Sequence, residues 1–475
     1  MQQATNNTQH PTHNIQPTTD RKAWRIIMII RTISLVLLIA ALSHNPMAFS
    51  AQFNFTPRSS AEVEYTDNVF LTKNNTENDF TTTLSAGFTA QLLGRTSGLE
   101  LSFDPAYVFY EDFTENDGWR LPASLRAWTD LTRATRLEFS NDFTRTEDPV
   151  ARDRIAAEGG RVEETGDTTV RRGREPYYRN RARVNISHQF GREDRIYAGF
   201  LYALLRNDDD QIEDNDEYRP SVGLDYWFTQ KFGSEFYGEF TRGEFSGQSD
   251  FDGEPTSDFD NWLGTLRFLG RMTQHFSLFI QYDQAYRDFD NDAESDYIVY
   301  APSAGFTYNI LEEMYLRLGL GYYKQVIEND ENQENLFLNG EISKTWNFQR
   351  GSINLIGLSG ITQNDFGAQN IGFEQYAAIQ AAADYNFTRQ IVGDIGAYYR
   401  YAHSPAQTDE DDVDDLDTNQ YRAGVGISYA PTRWMNIRLG YEFNKYSSSD
   451  GDLDDYTENR ALLTIILEAD QPWRF

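Results

Sequence analysis

Apolar and polar residues alternate along most of this chain. Between residues 80 and 92 the even positions are apolar except for Thr82, whereas the odd positions hold only Thr, Ser, Gly and Gln. A period of two places successive side chains on opposite faces of a strand, and a helical period does not fit it. About twenty such segments follow one another to the C-terminus. The sequence therefore predicts an all-β fold of about twenty strands, with about 18 as the alternative count.

The connections between these segments are of two kinds. Nine are short, and eight of those contain Arg or Lys, for example Arg95, Arg133 and Arg389. The others are longer, polar and rich in Asp and Glu, and the longest is Thr146–Tyr177. Short turns at one end and long loops at the other are typical of a transmembrane antiparallel up-and-down β-barrel. We expect short periplasmic turns, long acidic extracellular loops and a water-filled interior.

Aromatic residues recur where the predicted strands end. Two aromatic belts at the bilayer interfaces are typical of barrels in the outer membrane. The belt near the short turns is predicted to contain Trp227, Phe228, Tyr308, Trp346, Phe348, Tyr385, Phe387, Tyr429 and Trp434. The belt near the long loops is predicted to contain Tyr107, Phe109, Tyr286, Tyr399 and Tyr441.

The first fifty residues predict a cleaved signal peptide with a long n-region. Three basic residues, the first of them Arg21, precede an apolar stretch whose uninterrupted part, Thr32–Leu42, is too short to span a bilayer. Small residues at Ala48 and Ser50 fit a signal-peptidase site, so we place cleavage after Ser50. Residues 51–475 then form a single outer-membrane barrel domain. A retained inner-membrane anchor is the alternative.

Composition excludes several classes of protein. The formal net charge is −31 and the chain has no cysteine. The acidic excess leaves no basic surplus for nucleic acid, and the lack of thiols excludes cysteine nucleophiles and thiolate metal sites. After residue 50 the histidines are His188, His275 and His403, and no two are close in sequence. We therefore expect no enzyme, no catalytic residue and no cofactor.

One acidic segment has a spacing that resembles a calcium loop. Asp288, Asp290, Asp292 and Glu294 place oxygens at alternate positions, but the central glycine and the distant bidentate glutamate of such a loop are missing. A solvated acidic loop is the first interpretation. Weak bridging by Ca²⁺ or Mg²⁺ to lipopolysaccharide phosphates is the alternative.

The first predicted strand ends in the residues Tyr65-Thr66-Asp67-Asn68-Val69-Phe70. A first strand with this ending, followed by a barrel over residues 53–475, resembles the outer-membrane family known as β-barrel porin 2. Members of that family often occur among exopolysaccharide genes. The resemblance thus implies a conduit for polysaccharide export, with outer-membrane lipid, lipopolysaccharide, a polysaccharide and periplasmic export proteins as partners. A general or ligand-selective diffusion porin and a structural or adhesive surface barrel are the alternatives.

Basic residues alternate along the strand predicted over Tyr178–Gln189. The alternation turns three guanidiniums to the lumen, those of Arg179, Arg181 and Arg183. Alternate residues lie about 6.6–6.8 Å apart, so the three would form a ladder roughly 13 Å long in the loop-side half of the barrel. A guanidinium fork binds carboxylate or phosphate groups, which suits an acidic sugar chain.

Two tyrosines and two acids complete this predicted lumen site. Tyr177 and Tyr197 are both predicted to point inward, where their rings would offer faces for sugar stacking. Glu138 and Asp142 lie on the inward face of the preceding strand. If the arginines pair with these acids, the ladder only braces the wall.

Overall fold

The structure is a computed structural model that describes residues 52–149, 173–209, 212–246, 258–291, 295–310, 314–328, 332–364, 372–405, 416–449 and 455–474. The predicted signal peptide lies outside these residues, as do Asp292 and Glu294 of the acidic segment. Among the described residues, no helix is long and apolar enough to cross a membrane.

The described residues form 23 strand segments and one turn of 3₁₀ helix, Thr114–Asn116. The first segments are β1 (Gln52–Thr66), β2 (Asp79–Leu93), β3 (Ser97–Phe103), β4 (Ala106–Tyr110), β5 (Gly118–Arg120), β6 (Ala123–Asp130), β7 (Thr135–Thr146), β8 (Tyr177–Gln189), β9 (Arg195–Asn207), β10 (Asp214–Trp227), β11 (Phe232–Ser246) and β12 (Phe259–Arg271). The remaining segments are β13 (Phe276–Phe289), β14 (Tyr297–Ile310), β15 (Met314–Ile327), β16 (Gln333–Phe348), β17 (Gly351–Asn364), β18 (Gly372–Asn386), β19 (Ile391–Ser404), β20 (Leu416–Thr432), β21 (Met435–Ser448), β22 (Tyr456–Glu468) and β23 (Trp473–Arg474).

These segments make twenty barrel strands. β3 and β4 are two pieces of one strand, because they pair with successive parts of β2. β5 and β6 likewise form one strand, which pairs with β4 and β3. β23 continues the line of β22 along β1. Antiparallel pairing of β1 with β22, from Arg58 opposite Glu468 to Thr66 opposite Arg460, closes the sheet. The predicted fold class and the count of twenty are confirmed.

The outward face of the closed sheet is apolar. Ile280 is 67% exposed, Leu320 62% and Val425 52%, and many similar side chains surround the barrel. Closure pairs the backbone groups that hydrocarbon cannot satisfy, and an apolar exterior suits lipid tails. The chain is therefore an outer-membrane β-barrel.

The aromatic belts point outward, with one exception. Exposed rings at the short-turn end include Phe387 and Trp434, and Tyr441 is exposed at the other end. Trp227, predicted in the short-turn belt, instead lies on the inward face of β10, where the guanidinium of Arg271 sits 4.1 Å from the centre of its ring. The prediction for Trp227 is wrong because the outward set on β10 is the even-numbered one.

Candidate functional site

Polar side chains line the lumen, and many of their charges are paired between neighbouring strands. Such pairs are Arg195–Asp225, Arg267–Glu235, Arg317–Glu341 and Arg460–Glu64, and Arg438 reaches across β20 to pair with Asp394. Pairing offsets part of the free energy needed to remove a charge from water. An inward arginine that forms no ion pair with an Asp or Glu side chain can therefore bind an anionic group of a permeating molecule.

β8 carries its three alternating arginines on the lumen face. In the register with β7, each arginine is opposite a polar residue, in the pairs Arg179–Thr144, Arg181–Asp142 and Arg183–Ser140. On the other side, β9 places small or apolar residues opposite them, namely Leu205, Ala203 and Leu201. The three guanidiniums thus follow a boundary between a polar strip and an apolar strip of the wall.

The two acids expected to brace the ladder are placed differently from each other. Glu138 accepts a hydrogen bond of 2.6 Å from Nε of Arg136, on its own strand. Asp142 lies directly opposite Arg181. Within the described part of the chain, no ion pair joins Arg179 or Arg183 to an acid. The pure bracing role therefore fits the middle arginine and leaves the outer two to be explained.

A fourth arginine extends this basic surface. Arg126 on β6 is opposite Ser140, which is itself opposite Arg183, so the two arginines lie in one row with a serine between them. Arg126 and Arg183 are both exposed to the lumen. The alternation along a single strand cannot show that Arg126 lies beside Arg183, because that position depends on how three strands, β6, β7 and β8, are aligned. We call Arg126, Arg179, Arg181 and Arg183 the arginine wall.

The two tyrosines of the predicted site have different surroundings. Tyr177 is 1% exposed and packs against Ala203 and Leu205, so its ring has no open face in this structure. Tyr197 lies across β10, where the absence of a side chain at Gly223 makes room for its ring. The guanidinium of Arg195 lies 4.8 Å from the centre of the Tyr197 ring. Tyr197 remains on the lumen wall, on the periplasmic side of the arginine wall.

Apolar side chains fill part of the loop-side half of the lumen. A buried cluster on the inward faces of β12 to β16 includes Phe259, Phe289, Tyr297, Val299, Tyr323 and Phe337. Arg287, 0% exposed, lies within it, with its guanidinium 4.1 Å from the centre of the Phe259 ring. A wide barrel does not fill itself with wall side chains alone, so this burial means that other parts of the chain narrow the lumen here.

One segment that narrows the lumen is the loop-side end of the β17–β18 hairpin. The pairing of β16 with β17 stops at Gly340 opposite Ser359, although β16 begins at Gln333 and β17 continues to Asn364. The two strands therefore separate toward the loop side. We call residues 359–363 and 373–375 the hairpin tip.

Contacts of the hairpin tip show where it lies. The ring of Phe373 is 4.9 Å from that of Tyr323, centre to centre, and the hydroxyl of Tyr297 donates a 2.7 Å hydrogen bond to Gln363. Both tyrosines point inward from β15 and β14. Phe373 and Glu374 are adjacent in sequence and both are at most 2% exposed, which a strand with one lipid-facing side does not allow. The end of the hairpin tip, at Gln363 and Phe373, therefore lies inside the lumen, whereas Gln375 is still paired with His403 of β19 in the wall.

The acidic segment that resembled a calcium loop binds an arginine. The two carboxylate oxygens of Asp290 accept hydrogen bonds of 2.9 and 2.7 Å from Arg242. These bonds lower the pKa of Asp290, whereas burial and then the carboxylate of Asp296 raise the pKa of Asp288. In the described part of the chain, no group of three or more His, Asp or Glu is arranged to hold a metal ion.

The three histidines lie at separate places on the rims. His188 contacts the hydroxyl of Thr135, and His275 contacts the backbone carbonyl of Asn309 on β14. On the loop side, His403 lies 2.9 Å from Asp417. Burial raises the pKa of Asp417, but hydrogen bonds from His403 and a tyrosine outweigh it, so this pKa is lowered overall.

Comparison with known proteins gives structural similarity only. No protein-family model matches the chain, and no curated protein matches it. OpdK from Pseudomonas aeruginosa has 12% identity over 87% of this chain and 99% of its own, with a TM-score of 0.38. Pseudomonas aeruginosa OccK2 (OpdF) has 10% identity over 89% and 99%, with a TM-score of 0.39. The ferric-catecholate import receptor Fiu of E. coli K12 has 10% identity over 87% and 81%, with a TM-score of 0.45. These values carry no conclusion about what this chain transports.

Proposed function

We propose that this outer-membrane channel passes an acidic carbohydrate, with export of an exopolysaccharide as the first candidate. The observation that carries the proposal is the arginine wall, in which Arg179 and Arg183 form no ion pair with an acid among the described residues, whereas Arg126 is directly opposite Glu100 on β3. Carboxylate or phosphate groups on a sugar chain fit a guanidinium fork. Rungs about 6.6–6.8 Å apart would let a flexible polymer move from one fork to the next.

The polar strip beside the arginines supports the same substrate class. Ser140 and Thr144 on β7 place hydroxyl groups next to Arg183 and Arg179. Hydroxyl groups both donate and accept hydrogen bonds, so they can contact sugar hydroxyls that slide past. A wall of weak, repeated contacts favours passage, because a channel must bind its permeant weakly enough to release it.

Charge removal tests this proposal. The variant Arg179→Gln/Arg181→Gln/Arg183→Gln should shift single-channel ion selectivity toward cations and reduce export of an acidic polymer, while the barrel still assembles. The matched control removes the same number of charges from the short turns, by replacing Arg95, Arg133 and one further short-turn arginine with Gln. If both sets leave selectivity and export at wild-type levels, the arginine wall only braces the barrel.

A ligand-selective diffusion porin is the second candidate. The narrowing of the loop-side lumen by the hairpin tip favours it, because a narrow lumen suits a small anionic solute better than a polymer. Deletion of the gene separates the two candidates. Loss of secreted polysaccharide with unchanged uptake of small anions supports export, and the reverse result supports a diffusion porin.

A further inference from the structure

We propose that the hairpin tip is an internal gate of the channel. In the structure described above it packs against the aromatic cluster inside the lumen, which is the narrow state. We infer a second state in which the tip swings to the wall and pairs with β16, which widens the lumen. This inference rests on the protein being a channel and not on the identity of its permeant.

The unpaired edge of β16 is satisfied by side chains instead of by β17. The amide of Leu336 donates a 2.8 Å hydrogen bond to the side chain of Asn335. The carbonyl of Leu336 accepts from Gln375 at 3.4 Å, and the carbonyl of Leu338 accepts from the hydroxyl of Ser359. An unsatisfied backbone group near lipid costs several kcal/mol, so these bonds make the open edge tolerable.

The position of the open β16 edge relative to the membrane is compatible with both states of the tip. Leu336 is directly opposite Tyr322, which points outward on β15. Leu336 and Leu338 are 59% and 50% exposed on the outside of the barrel. The edge therefore lies at the interfacial level, where donors and acceptors of the tip can reach it and where strand pairing would also be stable.

The register already present defines the paired state. Continuing from Gly340 opposite Ser359, pairing would place Leu338 opposite Ile361 and Leu336 opposite Gln363. No residue needs to be inserted or removed. The tip would exchange its aromatic and hydrogen-bonding contacts in the lumen for a backbone ladder with β16. Two such arrangements of comparable quality are what a two-state element requires.

The side chains of the tip suit both states. Ile361 packs against the buried aromatic cluster, as Phe373 does, in the lumen state. In the paired state these odd-numbered residues would face outward at the interface, together with Gln363 and Gln375. An alternation of apolar and amide side chains is acceptable at that level and is also suited to a packed lumen.

The gate would lie across the lumen from the arginine wall, at the same loop-side level. β8 and β18 are the sixth and the sixteenth of the twenty barrel strands, so nine strands lie between them in each direction around the ring. The hairpin tip and the arginine wall thus face each other across the lumen on its loop side. Movement of the tip would change the width available to an anion beside the arginines.

Disulfide trapping tests the two states, because the chain has no cysteine of its own. The pair Leu338→Cys/Ile361→Cys can form a disulfide only when the tip pairs with β16. The matched control is Lys344→Cys/Leu355→Cys. Lys344 and Leu355 are directly opposite each other in the paired part of the same two strands, six residues from Leu338 and Ile361 respectively. Both barrels are reconstituted in planar bilayers in potassium chloride, without carbohydrate.

We expect the trapping pair to cross-link more slowly than the control, and we expect its conductance to rise once it is cross-linked. Reduction should restore the original conductance. The additional variant Phe373→Ala should speed cross-linking of the pair by about two- to tenfold, as loss of one aromatic contact allows. The proposal is overturned if the trapping pair does not cross-link while the control does, or if cross-linking leaves the conductance unchanged. Because no carbohydrate is present, either failure leaves the selectivity test of the arginine wall intact.

Discussion

Replacing Arg460 by Met should weaken the closure of the barrel. Its guanidinium lies between carboxylates from three strands and holds the first strand to the last. It forms two bonds with Glu64, one with Glu442 at 3.1 Å and a contact of 4.0 Å with Glu458. Without the guanidinium, three carboxylates would share one part of the seam.

The magnitude follows from the burial of the pair. The side chains of Arg460 and Glu64 are each 10% exposed. Removing one partner of such a buried pair costs about 3–5 kcal/mol, because the other charge is left uncompensated. Glu442 is 44% exposed, and an exposed pair contributes only about 0–1 kcal/mol. We therefore expect Arg460→Met to lower the free energy of unfolding by about 3–5 kcal/mol.

The assay is urea unfolding of the barrel in lipid vesicles, followed by tryptophan fluorescence. Arg195→Met is the matched control, because Arg195 is 53% exposed in its pair with Asp225 and should cost no more than about 1 kcal/mol. The double variant Glu64→Gln/Arg460→Met should recover much of the loss, since the buried charge is removed with its partner. A loss for Arg460→Met no larger than that of the control would refute the reasoning.

Three further predictions concern other parts of the barrel. Gly305→Ala should destabilise it strongly, because a Cβ there would lie 2.0 Å from a carbonyl oxygen of the neighbouring strand, whereas Gly264→Ala, with nothing within 4 Å, should be tolerated in the same unfolding assay. The lowered pKa of Asp417 means that its stabilising effect is present above the unfolded pKa of about 3.9 and is lost as the pH falls through the folded value. Asp417→Asn should thus lower the melting temperature at pH 7 but not near pH 3, and an equal difference at both pH values would contradict this. An epitope inserted in Val413–Leu416 should be reached by antibody on intact cells, and one beside Arg389 should not; the reverse labelling would place the long loops in the periplasm.

The period of two in the sequence was enough to predict most of the architecture. It identifies the lumen face of β8, because alternation alone decides which side of a strand carries Arg179, Arg181 and Arg183. It also gives the strand number, because each polar connection interrupts one apolar alternation. Trp227 was misplaced because adjacent aromatic residues at a strand end occupy both parities, and only the register tells which one faces lipid.

The narrowing of the lumen could not be predicted in the same way. Both parities of β17 carry apolar residues between Ser352 and Gln363, and such a pattern is compatible with a wall strand or with a segment buried on both sides. The contact of Phe373 with Tyr323 joins strands that are not neighbours, so no pattern along one strand encodes it. Arg126 was missed for a related reason, since its place beside Arg183 depends on two registers.

The closure of the sheet has a consequence for biosynthesis. The strands that meet at the seam come from opposite ends of the chain: Asp67 bonds to Asn459, 392 residues later. Until the final strand has emerged, both edges of the growing sheet remain open and can pair with other chains. A polypeptide truncated just before β22 would keep all the strand pairings from β1 to β21 and would still have two open edges. The last twenty residues of this chain therefore decide whether the polypeptide matures in the membrane or is left for chaperones and proteases.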